Sequence, residues 1–424
     1  MKRPGWLFLC LGCVGQLAAA DATGAAEAGR PPGTGSGYTD VDLGLQARAF
    51  AETGMVGQER FQPSASLRVA LHRYWDDERQ SFTATPFVRV DQVDDERSHF
   101  DLRELFVSRL GADWEFHLGL RQVFWGVTEF KHLVDIINQT DFVEDVDGED
   151  KLGQPMAHLS LVRDSGILDL FLLTGFRERT FPGEDGRLRW SVPIDGDAAR
   201  YESGAEERRV DGAIRWSQHL GPFSYGIHHF SGTSRDPLYE VAADRPGELR
   251  LVPFYPVIDQ TGLDAQVLVG DWAFKLEAMT RSGFGDRYAA FNAGFERTLV
   301  GVLGTRSDLG LVLEYLYDER GDAAFDTLFE RDLALGTRWS FNDAADSQAL
   351  AGFIIDRETH ERVLSLEASR RLGDSWMLAV EGRVFAGAGA SASYDPPEEL
   401  LQPSERSAPL QRDDYLQLEL TRYF

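Results

Sequence analysis

The chain has 424 residues, 43% of them hydrophobic, and a formal net charge of −26. So low a hydrophobic share excludes a bundle of membrane helices, and so acidic a balance leaves no electrostatic footprint for nucleic acid. The two cysteines, Cys10 and Cys13, both sit in the N-terminal segment, so neither a disulfide framework nor a thiolate metal centre is expected beyond it.

Lys2 and Arg3 open the chain, an apolar run follows from Trp6 to Ala20, and it closes on Ala18, Ala19 and Ala20. That is the pattern of a secretory signal peptide, and the run falls short of the ~20 apolar residues a membrane helix needs. Residues 1–20 therefore read as a signal peptide, residues 21–40 as a flexible leader rich in Ala, Gly and Pro, and residues 41–424 as one domain.

From Val41 onward one theme repeats. Leu43, Leu45, Ala47 and Ala49 alternate with Gly44, Gln46 and Arg48; Ala65, Leu67, Val69 and Leu71 alternate with polar or small residues; Trp114, Phe116, Leu118 and Leu120 do the same. Trp272–Ala278, Leu309–Tyr317 and Trp376–Val380 repeat the pattern further along. Alternation with period two assigns one side-chain set to each face of a sheet. Strands are predicted to start near residues 42, 63, 82, 100, 114, 156, 167, 209, 222, 257, 272, 288, 308, 331, 347, 361, 376 and 413. The strands near 100 and 156 read weakly, which leaves a count of sixteen open beside eighteen. Connections alternate between long ones, such as 125–155 and 176–208, and tight Gly- or Asp-bearing turns, such as Gly111–Asp113 and Gly270–Asp271. Trp114, Trp272 and Trp376 each open a strand just after a tight turn, as the aromatic girdle of a membrane interface does. The fold class that follows is all-β: a closed antiparallel transmembrane β-barrel of about eighteen strands with a long third outer loop. The even count puts both termini on the short-turn side.

The last strand alternates through Leu416, Leu418 and Leu420 and ends on Phe424. It resembles the assembly signal of bacterial outer-membrane barrels, with Arg422 a departure from the usual apolar residue. That resemblance implies a cell outer membrane of a Gram-negative bacterium, with its lipid, lipopolysaccharide and barrel-assembly machinery as partners and no role for nucleic acid.

On the polar face, the alternation directs Arg48, Arg68, Arg89 and Arg121 inward, and Arg103 joins them on a strand whose alternation reads two ways. Later strands add Arg215, His228, Lys275, Glu277, Glu296, Glu314, Arg338, Glu381, Arg383 and Glu419. The third outer loop carries a predicted helical turn from Thr128 to Ile137 and the acids Asp135, Asp141, Glu144, Asp145, Asp147, Glu149 and Asp150. In position and acidity this loop resembles the constriction loop of general diffusion porins, which folds inward and faces basic strands across a gap. The runs Arg121–Gly126, Asp135–Asp141 and Leu152–Pro155 are similar to a stretch of uncharacterised porin-like proteins of Gram-negative bacteria. What the resemblance implies is a channel for passive passage of small polar or charged solutes, and it names no solute.

Two other readings stand beside it. Asp145-Val146-Asp147-Gly148-Glu149-Asp150 suits calcium or a partner in a closed structural or adhesive barrel, although it lacks the twelve-residue loop and closing bidentate Glu of a dedicated calcium site. His229 and Ser231 share one face at a strand top, the arrangement a barrel hydrolase would need. The residue pattern otherwise offers no catalytic constellation, cofactor or metal motif.

Overall fold

The computed structural model describes residues 36–245, 248–321, 330–387 and 407–424. The expected signal peptide and most of the expected leader lie outside the described residues. Eighteen strands form one antiparallel sheet, and the sheet closes on itself where the last strand pairs with the first, from Asp42 opposite Tyr423 to Phe50 opposite Tyr415. In chain order the strands are Ser36–Phe50, Phe61–Trp75, Gln80–Asp91, His99–Leu110, Trp114–Arg121, Gln154–Arg163, Gly166–Thr174, Val210–Leu220 and Phe223–Thr233. Then come Val257–Val269, Trp272–Ser282, Tyr288–Leu299, Asp308–Asp318, Arg331–Ser340, Gln348–Asp356, Arg362–Arg371, Trp376–Ala386 and Tyr415–Tyr423. Closure satisfies every strand edge, which is what a sheet surrounded by lipid requires.

The molecule is inside out relative to a soluble protein. Leu45 is 54% exposed, Leu118 51%, Leu172 52% and Leu418 48%, whereas Arg48 is 4% exposed and Glu277 and Glu314 are fully buried. Alternation along each strand has therefore turned the apolar set outward as a continuous belt and the charged set inward. An exposed apolar belt around the whole circumference is stable only against a hydrocarbon solvent.

Two local departures from the sequence reading have physical reasons. The first strand begins at Ser36 rather than near 42, because the expected leader's last residues stay in register with the second strand, where Tyr38 stacks on His72 at 4.6 Å. The fourth strand carries a bulge: pairing to the third strand shifts between Thr85 and Pro86, opposite Leu102–Glu104. Arg103 is thus the unpaired extra residue. Asp101 before the bulge, Arg103 in it, and Glu104 and Phe106 after it all turn away from lipid, which is why the alternation around Arg103 reads two ways.

Short turns such as Asp76–Arg79, Gly221–Pro222 and Gly270–Asp271 gather at one end of the barrel, and the long connections at the other. At the long-loop end a small three-stranded sheet, built from Arg200–Tyr201, Leu238–Arg245 and Glu248–Tyr255, rises above the barrel.

Candidate functional site

The connection between the fifth and sixth strands, residues 122–153, does not project from the rim. Its side chains and backbone bond to the barrel wall on opposite sides, so the segment crosses the interior.

On one side it is held by arginines. The Arg89 guanidinium forks onto Glu144, with Nε 2.9 Å from Oε1 and Nη2 2.7 Å from Oε2. Arg48 donates to the Glu144 carbonyl at 2.9 Å and to Asp145 at 3.3 Å. Arg97 donates to the Val143 carbonyl at 2.8 Å, and Arg103 pairs with the fully buried Asp141. Burial pushes the Glu144 carboxyl up, but Arg89, with Arg97 and Arg103 behind it, outweighs burial and holds it down at about 2.

On the opposite side the roles are reversed, and wall carboxylates hold loop backbone. Glu277 accepts from the N–H groups of Val127 at 2.7 Å, Thr128 at 3.0 Å, Leu133 at 2.7 Å and Val134 at 3.3 Å, and from the Thr128 hydroxyl at 2.7 Å. Glu314 accepts from the N–H groups of Glu129 at 2.7 Å and Phe130 at 3.1 Å. These donors account for the missing helical turn: the sequence predicts one over Thr128–Ile137, but the segment contains no helix. Its N–H groups are bonded to two wall carboxylates, a stronger acceptor than a helix carbonyl. His132 lies between Glu149 at 3.2 Å and Glu277 at 3.6 Å. Burial works against its charged form, yet the two carboxylates raise its pKa well above 6.5.

Between these two sets of ties the loop buries apolar side chains of its own. Trp125, Val134, Ile136 and Ile137 pack on Met156, Phe171, Leu173, Ala213, Phe230 and Ile258 of the sixth to tenth strands. Here inward positions are apolar, against the expectation of a uniformly polar interior. The run Leu168–Leu173, apolar at nearly every position and so on both faces, was the available signal.

A cavity of about 1840 Å³ runs past the loop. Its wall includes Asn342, Asp346 and Tyr423 at the short-turn end, Gly352, Ser365, Glu367 and Glu381 midway, and Trp190, Tyr239 and Leu410 at the long-loop end. The loop side contributes Glu129, Phe130, Asp145 and Asp147. Phe130 lies so close to the fifteenth strand that a Cβ added at Gly352 would sit 2.9 Å from its ring, and one at Gly336 3.0 Å. Absence of side chains there is what lets the ring seat against the wall.

The expected lining residues divide accordingly. Arg68, Arg89, Arg338, Glu381 and Arg383 face the cavity, as do the loop acids Asp135, Glu144, Asp145 and Asp147. Arg48, Arg121, Lys275, Glu277 and Glu314 point inward without forming cavity wall, because the loop or neighbouring side chains cover them. Arg121 bonds His158 at 2.5 Å and Lys275 pairs with Glu296 at 3.2 Å. Asp141 is buried under Arg103. The expectation of acids facing arginines across a gap is corrected in the same way: the two sets are in contact, so their fields largely cancel at short range. Arg383 differs. It has Asp147 at 2.8 Å, Glu381 at 3.1 Å, Asp145 at 3.6 Å and Glu367 at 3.9 Å around it, one guanidinium among four carboxylates. Its position inside the barrel first, and Asp145 second, raise the Asp147 carboxyl to about 7.

Arg97, at 2% exposure the tightest guanidinium of the loop cradle, was missed, since it lies in the connection between the third and fourth strands, where alternation carries no information. His229 and Ser231 do face outward as expected, but His229 bonds Thr261 at 2.9 Å and Asp259 at 3.2 Å, and no hydrogen bond joins it to Ser231 among the described residues. Leu416, Leu418 and Leu420 lie on the closing strand and turn outward; Phe424 follows its last residue, and the Phe424 N–H donates to the Val41 carbonyl at 3.0 Å.

No family model matches the chain, and no curated protein is similar to it in sequence. Solved structures are similar in fold. OpdQ of Pseudomonas aeruginosa matches with a TM-score of 0.50 at 10% identity, over 92% of this chain and 97% of that one. A BenF-like porin from Pseudomonas fluorescens Pf-5 matches with a TM-score of 0.52 at 8% identity, over 92% and 98%. Wzi of Escherichia coli, described as an outer-membrane, carbohydrate-binding β-barrel involved in group 1 capsule assembly, matches with a TM-score of 0.53 at 8% identity, over 91% and 84%. At such identities the likeness establishes the barrel fold.

Proposed function

We propose that this protein is an outer-membrane channel for passive passage of small polar or charged solutes, narrowed by its third loop and preferring cations. The observation that carries the reading is a continuous cavity that borders the short turns at one end and the long loops at the other while passing beside the loop. A barrel of 16–18 strands is wide enough to keep such a path beside an inserted segment. The cation preference rests on the charge left over after pairing. Arg48, Arg89 and Arg103 are neutralised by loop acids, whereas the cavity wall around Arg383 keeps a surplus of carboxylate. Rings of carboxylates select cations by ordinary electrostatics at close range. Porin and outer-membrane descriptions of the fold neighbours agree with this setting, as does the outward apolar belt.

The test is single-channel recording of the refolded protein in a planar bilayer under a salt gradient. Steady conductance with a reversal potential on the cation side is expected. A silent bilayer, with the barrel shown to be folded and inserted, would overturn the channel reading in favour of a closed structural or adhesive barrel. A reversal potential on the anion side would overturn the selectivity alone.

A further inference from the structure

Arg422 breaks the apolar pattern of the closing strand, and the channel reading gives it no task. Its surroundings do. In register, Arg422 stands opposite Trp376, and Arg297 stands opposite Trp272. Both tryptophans are the first residue of a strand that follows a short turn, so one arrangement occurs twice on separate strand pairs at the same rim. The Arg297 guanidinium carbon lies 5.0 Å from the Trp272 ring centroid, and that of Arg422 lies 5.3 Å from Trp376 and 4.5 Å from Phe424. Both arginines are exposed on the outward face.

Neither has a carboxylate partner among the described residues, unlike Arg48, Arg89, Arg103 and Arg383 of the interior. Two outward arginines of the long-loop rim are paired: Arg287 with Asp259 at 2.8 Å, and Arg331 with Glu358. Stacking over an aromatic face steadies the guanidinium and leaves the in-plane N–H fork free. A planar fork of donors on an aromatic belt suits one partner of the interface above all, the phosphate of a lipid headgroup.

We propose that Arg297 on Trp272, and Arg422 between Trp376 and Phe424, are two docking sites for the phosphate of phospholipids in the leaflet at the short-turn rim. The inference rests on the membrane reading above. The charge at position 422 then belongs to lipid recognition, and the flanking rings hold its guanidinium at headgroup depth.

The experiment is native mass spectrometry of the detergent-solubilised barrel titrated with dioleoylphosphatidylglycerol. Wild-type protein is expected to retain up to two lipids. Arg297→Gln and Arg422→Gln should each weaken one binding step about fivefold, the effect of one arginine near an anionic surface. Arg287→Gln, on the opposite rim, should leave retention unchanged. Unaltered retention in the double variant, or equal loss in Arg287→Gln, overturns the proposal. Heat-modifiable gel migration reports folding of each variant. If a glutamine variant fails to fold, the double Lys variant, which keeps charge but loses the planar fork, is titrated instead, and wild-type retention by it overturns the proposal. The membrane reading fails separately, if the wild type does not insert into bilayers.

Discussion

Removing the Glu277 carboxylate should release the loop while leaving the barrel closed. Four loop N–H groups and one hydroxyl converge on this fully buried side chain. No strand–strand hydrogen bond depends on it. In Glu277→Ala the four N–H groups lose their acceptor, while the Thr128 hydroxyl keeps the Lys131 carbonyl at 2.8 Å. At about 1 kcal/mol each, a value at the low end because the adjacent cavity lets water reach some of them, the latched state loses about 4 kcal/mol. With about 1.4 kcal/mol per tenfold, the ratio of released to latched loop rises by about a thousandfold. Glu277→Gln keeps one acceptor oxygen and loses the charge, so it should lose about half as much. In a planar bilayer the wild type is expected to conduct at one steady level. Glu277→Ala should flicker between that level and a larger one as the loop leaves the interior. Trypsin supplies an independent reading, because Lys131 and Lys151 lie in the loop and become cleavable only on release. A Glu277→Ala channel with wild-type conductance, wild-type current noise and an uncut loop would refute the argument that this carboxylate holds the loop.

Four further outcomes follow from the same geometry. Arg89→Gln strands the buried Glu144 charge and should destabilise the latched loop by about 3–5 kcal/mol, while the double variant with Glu144→Gln should recover most of it; a double-mutant cycle read by loop proteolysis tests the coupling. Glu144 sits at about 2 against an ordinary 4.5, so its contribution is present above 4.5 and is lost as pH falls from there toward 2. His132 is shifted the other way, so its contribution is complete below 6.5 and lost as pH rises through its raised value; trypsin is inactive in acid, so pepsin in the acid range and trypsin above neutrality should find the loop least cleavable between the two windows. Glu367→Gln with Glu381→Gln should move the reversal potential toward zero, and Gly352→Val, whose Cβ meets the Phe130 ring, should displace that ring and change conductance without affecting closure of the barrel.

The sequence by itself determined the barrel. Predicted strand starts lie within two residues of the observed ones, the first strand excepted, and Leu43, Leu67, Trp114, Trp272 and Leu416 face outward as their alternation required. That success has a local cause: in a strand, a residue's face depends only on its parity, and parity is readable without knowing any partner. Even the ambiguity at Arg103 marks a real bulge where parity changes. What only the tertiary structure decided is which inward charge stays open to the cavity and which is consumed in holding the loop. Glu277 and Glu381 have the same residue type and the same parity, yet one is fully buried under loop N–H groups and the other borders the cavity. The difference comes from a loop whose Leu133 meets Glu277 across 144 residues of chain. No local pattern encodes that meeting, because it is set by the curvature and closure of all eighteen strands together.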